Sequence, residues 1–261
     1  MQILTIANQK GGSGKSSTAA ALAQAAAHRG RRVLAIDLDP QGNLSFFLSA
    51  DATRAGAFEM LEGEPATIQH TADGLDVIAA SWNLQTITSG RGSARRLRTA
   101  LEPIAAQYSL IVIDTPPTAG ELQYNALMAA TDLIIPLQAD IVGLQGLYQM
   151  VDTARQIQQS NPALKLRGII LTRHGTRTTL ARQMTETIKT KAQEMGIPFL
   201  LAIREAVAIR EAQTLQRSLY EYAPNSNPAA DYLQLLDLLE CKEGAKRNSE
   251  NERTKNEETE I

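Results

Sequence analysis

The 261-residue sequence predicts a doubly wound α/β fold, a mainly parallel sheet flanked by helices on both faces. Two observations carry that reading. Short runs rich in Ile, Val and Leu occur at 3–7, 33–38, 75–80, 110–113, 133–137, 166–171 and 197–203, and helix-forming stretches separate most of them. Buried parallel strands read as near-continuous apolar runs and need crossover helices. The second observation is placement. A glycine-rich loop and two acidic turns each follow one of these runs, and ligands of such sheets sit at the carboxyl ends of the strands.

Composition narrows the class further. Hydrophobic residues make up 43% of the chain, enough for a sizeable core, and a single α/β domain over 1–241 fits the length. The single cysteine, Cys241, excludes an intramolecular disulfide framework and four-cysteine iron–sulfur or zinc ligation by one chain. The three histidines, His28, His70 and His174, are too scattered to suggest a His-based metal site. No apolar run approaches the roughly 20 residues of a membrane span, and the N-terminus lacks a signal-peptide layout, so a cytoplasmic protein is expected.

The first run, 3–7, leads into Lys10-Gly11-Gly12-Ser13-Gly14-Lys15-Ser16-Ser17, which opens an Ala-rich helix expected near 16–28. Strand, glycine loop and helix in that order are the context of a phosphate-binding loop. Glycines let backbone N–H groups turn onto phosphate oxygens, and the helix N-terminus adds partial positive charge. Lys15 supplies a point charge for the β- and γ-phosphates, and the Ser16 hydroxyl is a ligand for Mg²⁺. The ordinary pattern has glycine five residues before Gly14; this chain has Gln9 there and a second lysine, Lys10, at the loop's start.

The second run ends in Asp37-Leu38-Asp39-Pro40-Gln41-Gly42-Asn43. Carboxylates two residues apart on a strand point to the same side, so one is placed to orient water and the other to support a metal shell. On local sequence alone the plainer alternative is an Asx-type turn after a strand. The run 110–113 closes on Asp114-Thr115-Pro116-Pro117, a strand-terminal aspartate of the kind that reaches Mg²⁺ directly or through water.

These motifs resemble the ParA/MinD ATPases, P-loop proteins with a deviant Walker A box that reads Lys-Gly-Gly-x-Gly-Lys-Ser. Asp37 to Asn43 is similar to that family's switch I, and Asp114-Thr-Pro-Pro to its switch II. The likeness continues through 125–138, Gly143-Leu-Gln-Gly-Leu, Gly168 to Thr172, Gly196-Ile-Pro198 and 204–212, covering 2–240. It implies a Mg²⁺-dependent ATPase in which Lys10 reaches across a homodimer to the partner's phosphates and two ATP molecules are sandwiched. Asp39 then positions the attacking water, and Ser16, Asp37 and Asp114 serve the metal. One departure stands out. Relatives often carry Ile-Pro-Arg-Asn-x-x-x-x-Glu-Ala beside the adenine, whereas this chain has Ile203-Arg204-Glu205-Ala206 and then Glu211-Ala212.

Charge is unevenly spread. Arg155 to Arg217 carries a local net of +7 in a chain of net −2, and Arg91, Arg95, Arg96 and Arg98 form a second basic cluster. Clustered positive charge is a footprint for nucleic acid, although solvated surface is the default for charged residues. The resemblance implies nonspecific double-stranded DNA binding by the ATP dimer, with Arg173, Arg177, Arg182, Lys189, Lys191, Arg210 and Arg217 as candidates. It also implies a ParB-like centromere-binding partner that stimulates hydrolysis, nucleoid association, and a role in partition of plasmids, chromosomes or mobile elements. The chain starts almost at its first strand, so no N-terminal helix-turn-helix and no operator binding are expected.

The alternative is a MinD-like membrane-cycling ATPase. That mechanism needs a C-terminal amphipathic helix with a basic polar face, and 229–240 contains no Lys or Arg. Tyr232, Leu235, Leu236 and Leu239 share one helical face there, which predicts a helix docked on the core. The final stretch, 242–261, has five basic and six acidic residues with only Ala245 and Ile261 aliphatic, and is expected to be a disordered charged tail.

Overall fold

The computed structural model describes residues 1–90, 92–175 and 178–240. Arg91, Arg177, Cys241 and the expected tail therefore lie outside the described residues. The strands are β1 (Gln2–Ile6), β2 (Val33–Asp37), β3 (Gln69–His70), β4 (Asp76–Ile78), β5 (Leu110–Asp114), β6 (Asp132–Leu137), β7 (Lys165–His174) and β8 (Phe199–Arg204). They form one sheet in the order β3-β4-β2-β5-β1-β6-β7-β8. Every pairing is parallel except β3 with β4.

The helices are α1 (Lys15–His28), α2 (Asn43–Phe47), α3 (Ala57–Glu62), α4 (Arg96–Leu101), α5 (Glu121–Ala129), α6 (Ile141–Gln158), α7 (Thr179–Glu194), α8 (Val207–Thr214) and α9 (Leu219–Tyr222). A last helix, α10, runs through 227–240. Side chains alternate across the sheet as the strand period requires. Leu4, Ile6, Ala35 and Val112 pack with α1, α9 and α10, while Ile3, Ile36, Ile111 and Ile113 pack with α3, α4 and α5. Leu133, Ile135 and Leu137 extend the second layer under α6 and α7. Helices thus cover both faces, as the sequence predicts.

The central helix α1 is buried almost all round, and its run of alanines lets it pack closely between the sheet and α10. Tyr232, Leu235, Leu236 and Leu239 of α10 are fully or nearly fully buried, and the Tyr232 hydroxyl meets Thr18 Oγ1 at 3.2 Å. The docked terminal helix is therefore as expected. β5 lies between β2 and β1, so the carboxyl ends of β2, β5, β1, β6 and β7 converge on one rim. The candidate site is built on that rim.

Candidate nucleotide site

The loop after β1 enters α1 through Gly14, whose φ of +84° no L side chain adopts readily. A Cβ at Gly14 would also stand 3.1–3.3 Å from the Thr172 side chain. Thr172, at the end of β7, donates its hydroxyl to the Ser13 carbonyl at 2.8 Å and so pins the loop to the sheet. Gln138 Nε2, after β6, holds the Gly12 carbonyl at 2.8 Å. Asn8 Nδ2 donates to the Pro136 carbonyl at 2.6 Å, and Gly146 of α6 lets that helix approach, since a Cβ there would lie 2.7 Å from Asn8 Oδ1. With its carbonyls tied outward to the sheet rim, the loop can turn its N–H groups inward. Gly14→Ala is expected to cost roughly 1–2 kcal/mol from the left-handed conformation alone. For a domain of this size that lowers Tm by about 2–8 °C. A thermal melt identical to that of the parent would remove the strain argument.

Four charged side chains meet inside this rim. Lys15, Asp37, Asp39 and Asp114 are all buried. Burial holds the Lys15 ammonium below the usual lysine range, with the carboxylates of Asp114 and Asp39 opposing that effect. Its Nζ reaches back 3.2 Å to the Lys10 carbonyl. Asp37 is pushed up to about 6, first by burial, against hydrogen bonds from Ser45 and the Asp39 N–H. Both its oxygens are used internally: Oδ1 accepts from Asp39 N at 3.0 Å, and Oδ2 accepts from Ser45 N and Ser45 Oγ, each at 2.8 Å. Ser45 Oγ also accepts from Ala80 N at 2.9 Å, tying α2 to the end of β4. Asp37 therefore braces the turn that presents Asp39. Asp39 Oδ1 accepts from Gln41 N at 3.0 Å, and Gly42, at φ +66°, closes the turn.

Asp114 is raised well above the carboxylate range by burial and then by the neighbouring Asp37 carboxylate; the Ser16 hydroxyl and Lys15 act the other way. Its Oδ1 accepts from Thr115 N at 3.0 Å. Its Oδ2 is buried without a hydrogen bond of ordinary geometry, even though the Ser16 hydroxyl is close enough to favour the charged form. An orphaned carboxylate oxygen beside a serine hydroxyl fits a hard divalent cation such as Mg²⁺, which takes one or two protein oxygens and completes its shell with phosphates and water. Among the described residues, no group of three or more His, Cys, Asp or Glu side chains is arranged to hold a metal alone.

A small cleft opens beyond Gly14 and Ser17, walled by Thr172, Arg204, Ile209, Gln213 and Tyr232. The departure at 204–206 has a visible consequence there. Arg204 forks onto Asp231 of α10, with Nε 3.1 Å from both oxygens and Nη2 2.6 Å from Oδ1, so its guanidinium is committed to the scaffold. Ser17 Oγ meets Gln213 Oε1 at 3.5 Å across the cleft.

Lys10, at the loop's start, is partly buried and is held by Asp140, with Nζ 2.9 and 2.8 Å from the two Asp140 oxygens. Of the basic candidates, Arg173 and Arg210 border the cleft beyond Gly14 and Ser17. Arg182, Lys189 and Lys191 are on α7, Arg210 on α8, Arg217 just after it, and Arg173 near the end of β7. Lys189 and Lys191 pair with Glu186 and Glu194 of their own helix, at 2.8 and 2.7 Å. Arg173, Arg182, Arg210 and Arg217 are exposed or half-exposed. Sequence reading did not single out Asn8, Asp140, Thr172 or Gln213 as functional. All except Gln213 sit at or just beyond the carboxyl ends of β1, β6 and β7, the one signal that points to them.

Comparison with known proteins agrees with this fold. The family profile described as an AAA domain matches residues 1–166. The chromosome-partitioning ATPase Soj of Thermus thermophilus is 35% identical over 237 residues, 90% of this chain and 93% of that protein. Cobyrinic acid a,c-diamide synthase of Mycobacterium smegmatis, solved with an ATP analogue and magnesium, superposes with a TM-score of 0.78 at 31% identity, covering 91% of this chain and 93% of that one. A plasmid partition protein of Borrelia burgdorferi bound to AMPPNP gives 0.78 at 26%, covering 92% and 99%.

Proposed function

This chain belongs to the ParA/MinD-type family of P-loop ATPases, and from that membership we propose a partition ATPase that switches between an ATP-bound DNA-binding dimer and a released form. The observation that carries the proposal is the division of labour between two lysines. Lys15 is buried among Asp39, Asp37 and Asp114, whereas Lys10 is partly buried and held by Asp140. A lysine so placed suits a second subunit's phosphates better than its own.

In this reading the N–H groups of Gly11 to Ser17 cradle the β- and γ-phosphates at the start of α1. Lys15 leaves the Lys10 carbonyl and turns onto the phosphate oxygens. Ser16 and Asp114 would hold Mg²⁺, which when bound polarises those oxygens. Asp37 keeps the Asp39 backbone N–H, and so fixes the Asp39 carboxylate where it orients the attacking water. The β–γ bridging bond breaks, giving ADP and phosphate. Lys10 of the second copy neutralises the charge that develops, as an arginine finger does. The base would lie in the cleft bounded by Ser17 and Gln213.

The DNA face is assigned to the exposed arginines Arg173, Arg182, Arg210 and Arg217, with Arg177 beside them in sequence. Dimerisation doubles the number of phosphate contacts and makes binding steeply salt-sensitive. Hydrolysis stimulated by a ParB-like protein releases the DNA. Partition relatives in name, from Thermus and Borrelia, support this assignment of biological role.

Lys10→Ala separates the two lysine roles. It is expected to keep ATP binding by the monomer, because the buried cluster is untouched, and to lose the ATP-dependent dimer in sedimentation velocity. A normal ATP dimer would contradict the placement of Lys10 in the partner's site.

A further inference from the structure

The contact that occupies Lys10 is itself an unassigned element of the site. Every polar group of Lys10 has a partner within its own chain. Its N–H donates to Asn8 Oδ1 at 3.2 Å, its carbonyl accepts from Lys15 Nζ at 3.2 Å, and its ammonium meets both oxygens of Asp140. Asp140 is equally committed. It is the residue that caps α6, with Oδ1 accepting from Gly143 N at 2.6 Å. Burial would raise its carboxyl, but the Lys10 ammonium and the Gly143 N–H outweigh burial and hold it below the usual range. The Lys10 side chain is 18% exposed and that of Asp140 44%, so the pair sits on the open lip, and the next residue, Ile141, is 74% exposed.

We infer that Asp140 is a positioning residue that clamps Lys10 onto its own subunit and so sets a threshold against assembly of the two-subunit site. The inference rests on the partition-ATPase reading for its consequence, but the clamp itself is a property of the single chain. Its logic is competitive. An ammonium held by both oxygens of one carboxylate is not available to a phosphate, and a carboxylate left beside incoming phosphates repels them. Lys10 must therefore exchange one anionic partner for another when a second copy closes. The Lys10 carbonyl also accepts from Lys15 Nζ, so both lysines of the loop meet at this residue. A single side chain thus couples the nucleotide loop to the first turn of α6 on the rim.

Asp140→Asn tests this cleanly, because asparagine is as good an N-cap as aspartate and keeps α6 intact while removing the charge. Two readouts are needed. In the nucleotide-free chain, the rate at which acetic anhydride acetylates Lys10, followed by mass spectrometry of that peptide, should rise severalfold in Asp140→Asn. With ATP–Mg²⁺, Asp39→Ala/Asp140→Asn should dimerise with a dissociation constant about three- to fivefold lower than Asp39→Ala alone, the range for a half-exposed ion pair. An unchanged or weaker dimer would overturn the threshold, and an unchanged acetylation rate would overturn the clamp. If Asp39→Ala forms no ATP dimer at all while the acetylation difference persists, the sandwich reading falls and the clamp stands. Thermal melts of both variants confirm that neither result comes from a loss of fold.

Discussion

Lys15→Ala is expected to abolish useful ATP binding, with affinity falling on the order of a hundredfold or more, as loss of a charged hydrogen bond in a buried site predicts. The reason lies in what remains. Asp37, Asp39 and Asp114 are buried on the same rim, and Lys15 is the cation whose field reaches two of them. Without it, incoming phosphates meet buried carboxylates with only backbone dipoles to offset the repulsion. Isothermal titration with ATP–Mg²⁺ reads the effect, and unchanged affinity would remove the phosphate-loop assignment. Lys15→Arg should not rescue it, because the longer planar group must fit a space already closed by the Lys10 carbonyl.

Asp39→Ala should separate binding from turnover. Its ATP affinity is expected to stay within severalfold of the parent, while hydrolysis falls by about 10²–10⁴, the usual share of a general base or water-orienting group. Asp37 and Asp114 remain in place, so the loop and the proposed metal position persist. The turn itself should hold, because Asp37 still accepts from the backbone N–H of residue 39 and from Ser45. Phosphate release measured at saturating ATP checks this. Parental turnover would move the water-orienting role to another residue. The variant then becomes a tool, since it arrests the ATP state on which the proposed dimerisation and DNA binding depend.

The fold was legible because its strands are buried on both faces. Each of β1, β2, β5 and β6 is an apolar run whose ends agree with the sequence reading to within a residue or so. β3 was not legible. Gln69–His70 is two residues long, polar, and pairs antiparallel at the sheet edge, so neither length nor pattern marks it. The loop, Asp39 and Asp114 stand out as candidates in the sequence because phosphate chemistry demands glycines, lysine and carboxylates at fixed local spacing. Thr172 and Gln138 support the same loop from more than 120 residues away. Only the insertion of β5 between β2 and β1, and the run of β6 and β7 on the other side, brings them in. The pairing of Lys10 with Asp140 is of the same kind. In the basic stretch Lys189 and Lys191 are each paired with a glutamate three residues away, so the +7 of residues 155–217 is carried by the other basic residues. Exposed arginines are the better guide to a phosphate-binding face.

Arg204 illustrates how a departure from a family pattern is absorbed. Where relatives often have proline, an arginine at the end of β8 is held by Asp231, so the loop is fixed by an ion pair to α10 instead of by a ring. The fork commits the Arg204 guanidinium to α10, while Arg173 and Arg210 border the same cleft.

The central claim is a nucleotide switch that governs DNA binding. Its most direct test is co-sedimentation of Asp39→Ala with random-sequence duplex DNA, with and without ATP–Mg²⁺, across a salt series, with anionic liposomes in a parallel tube. Binding that requires ATP and falls steeply with salt is the predicted result. ATP-dependent recruitment to the liposomes with no binding to DNA would contradict it and make the membrane-cycling reading the correct one.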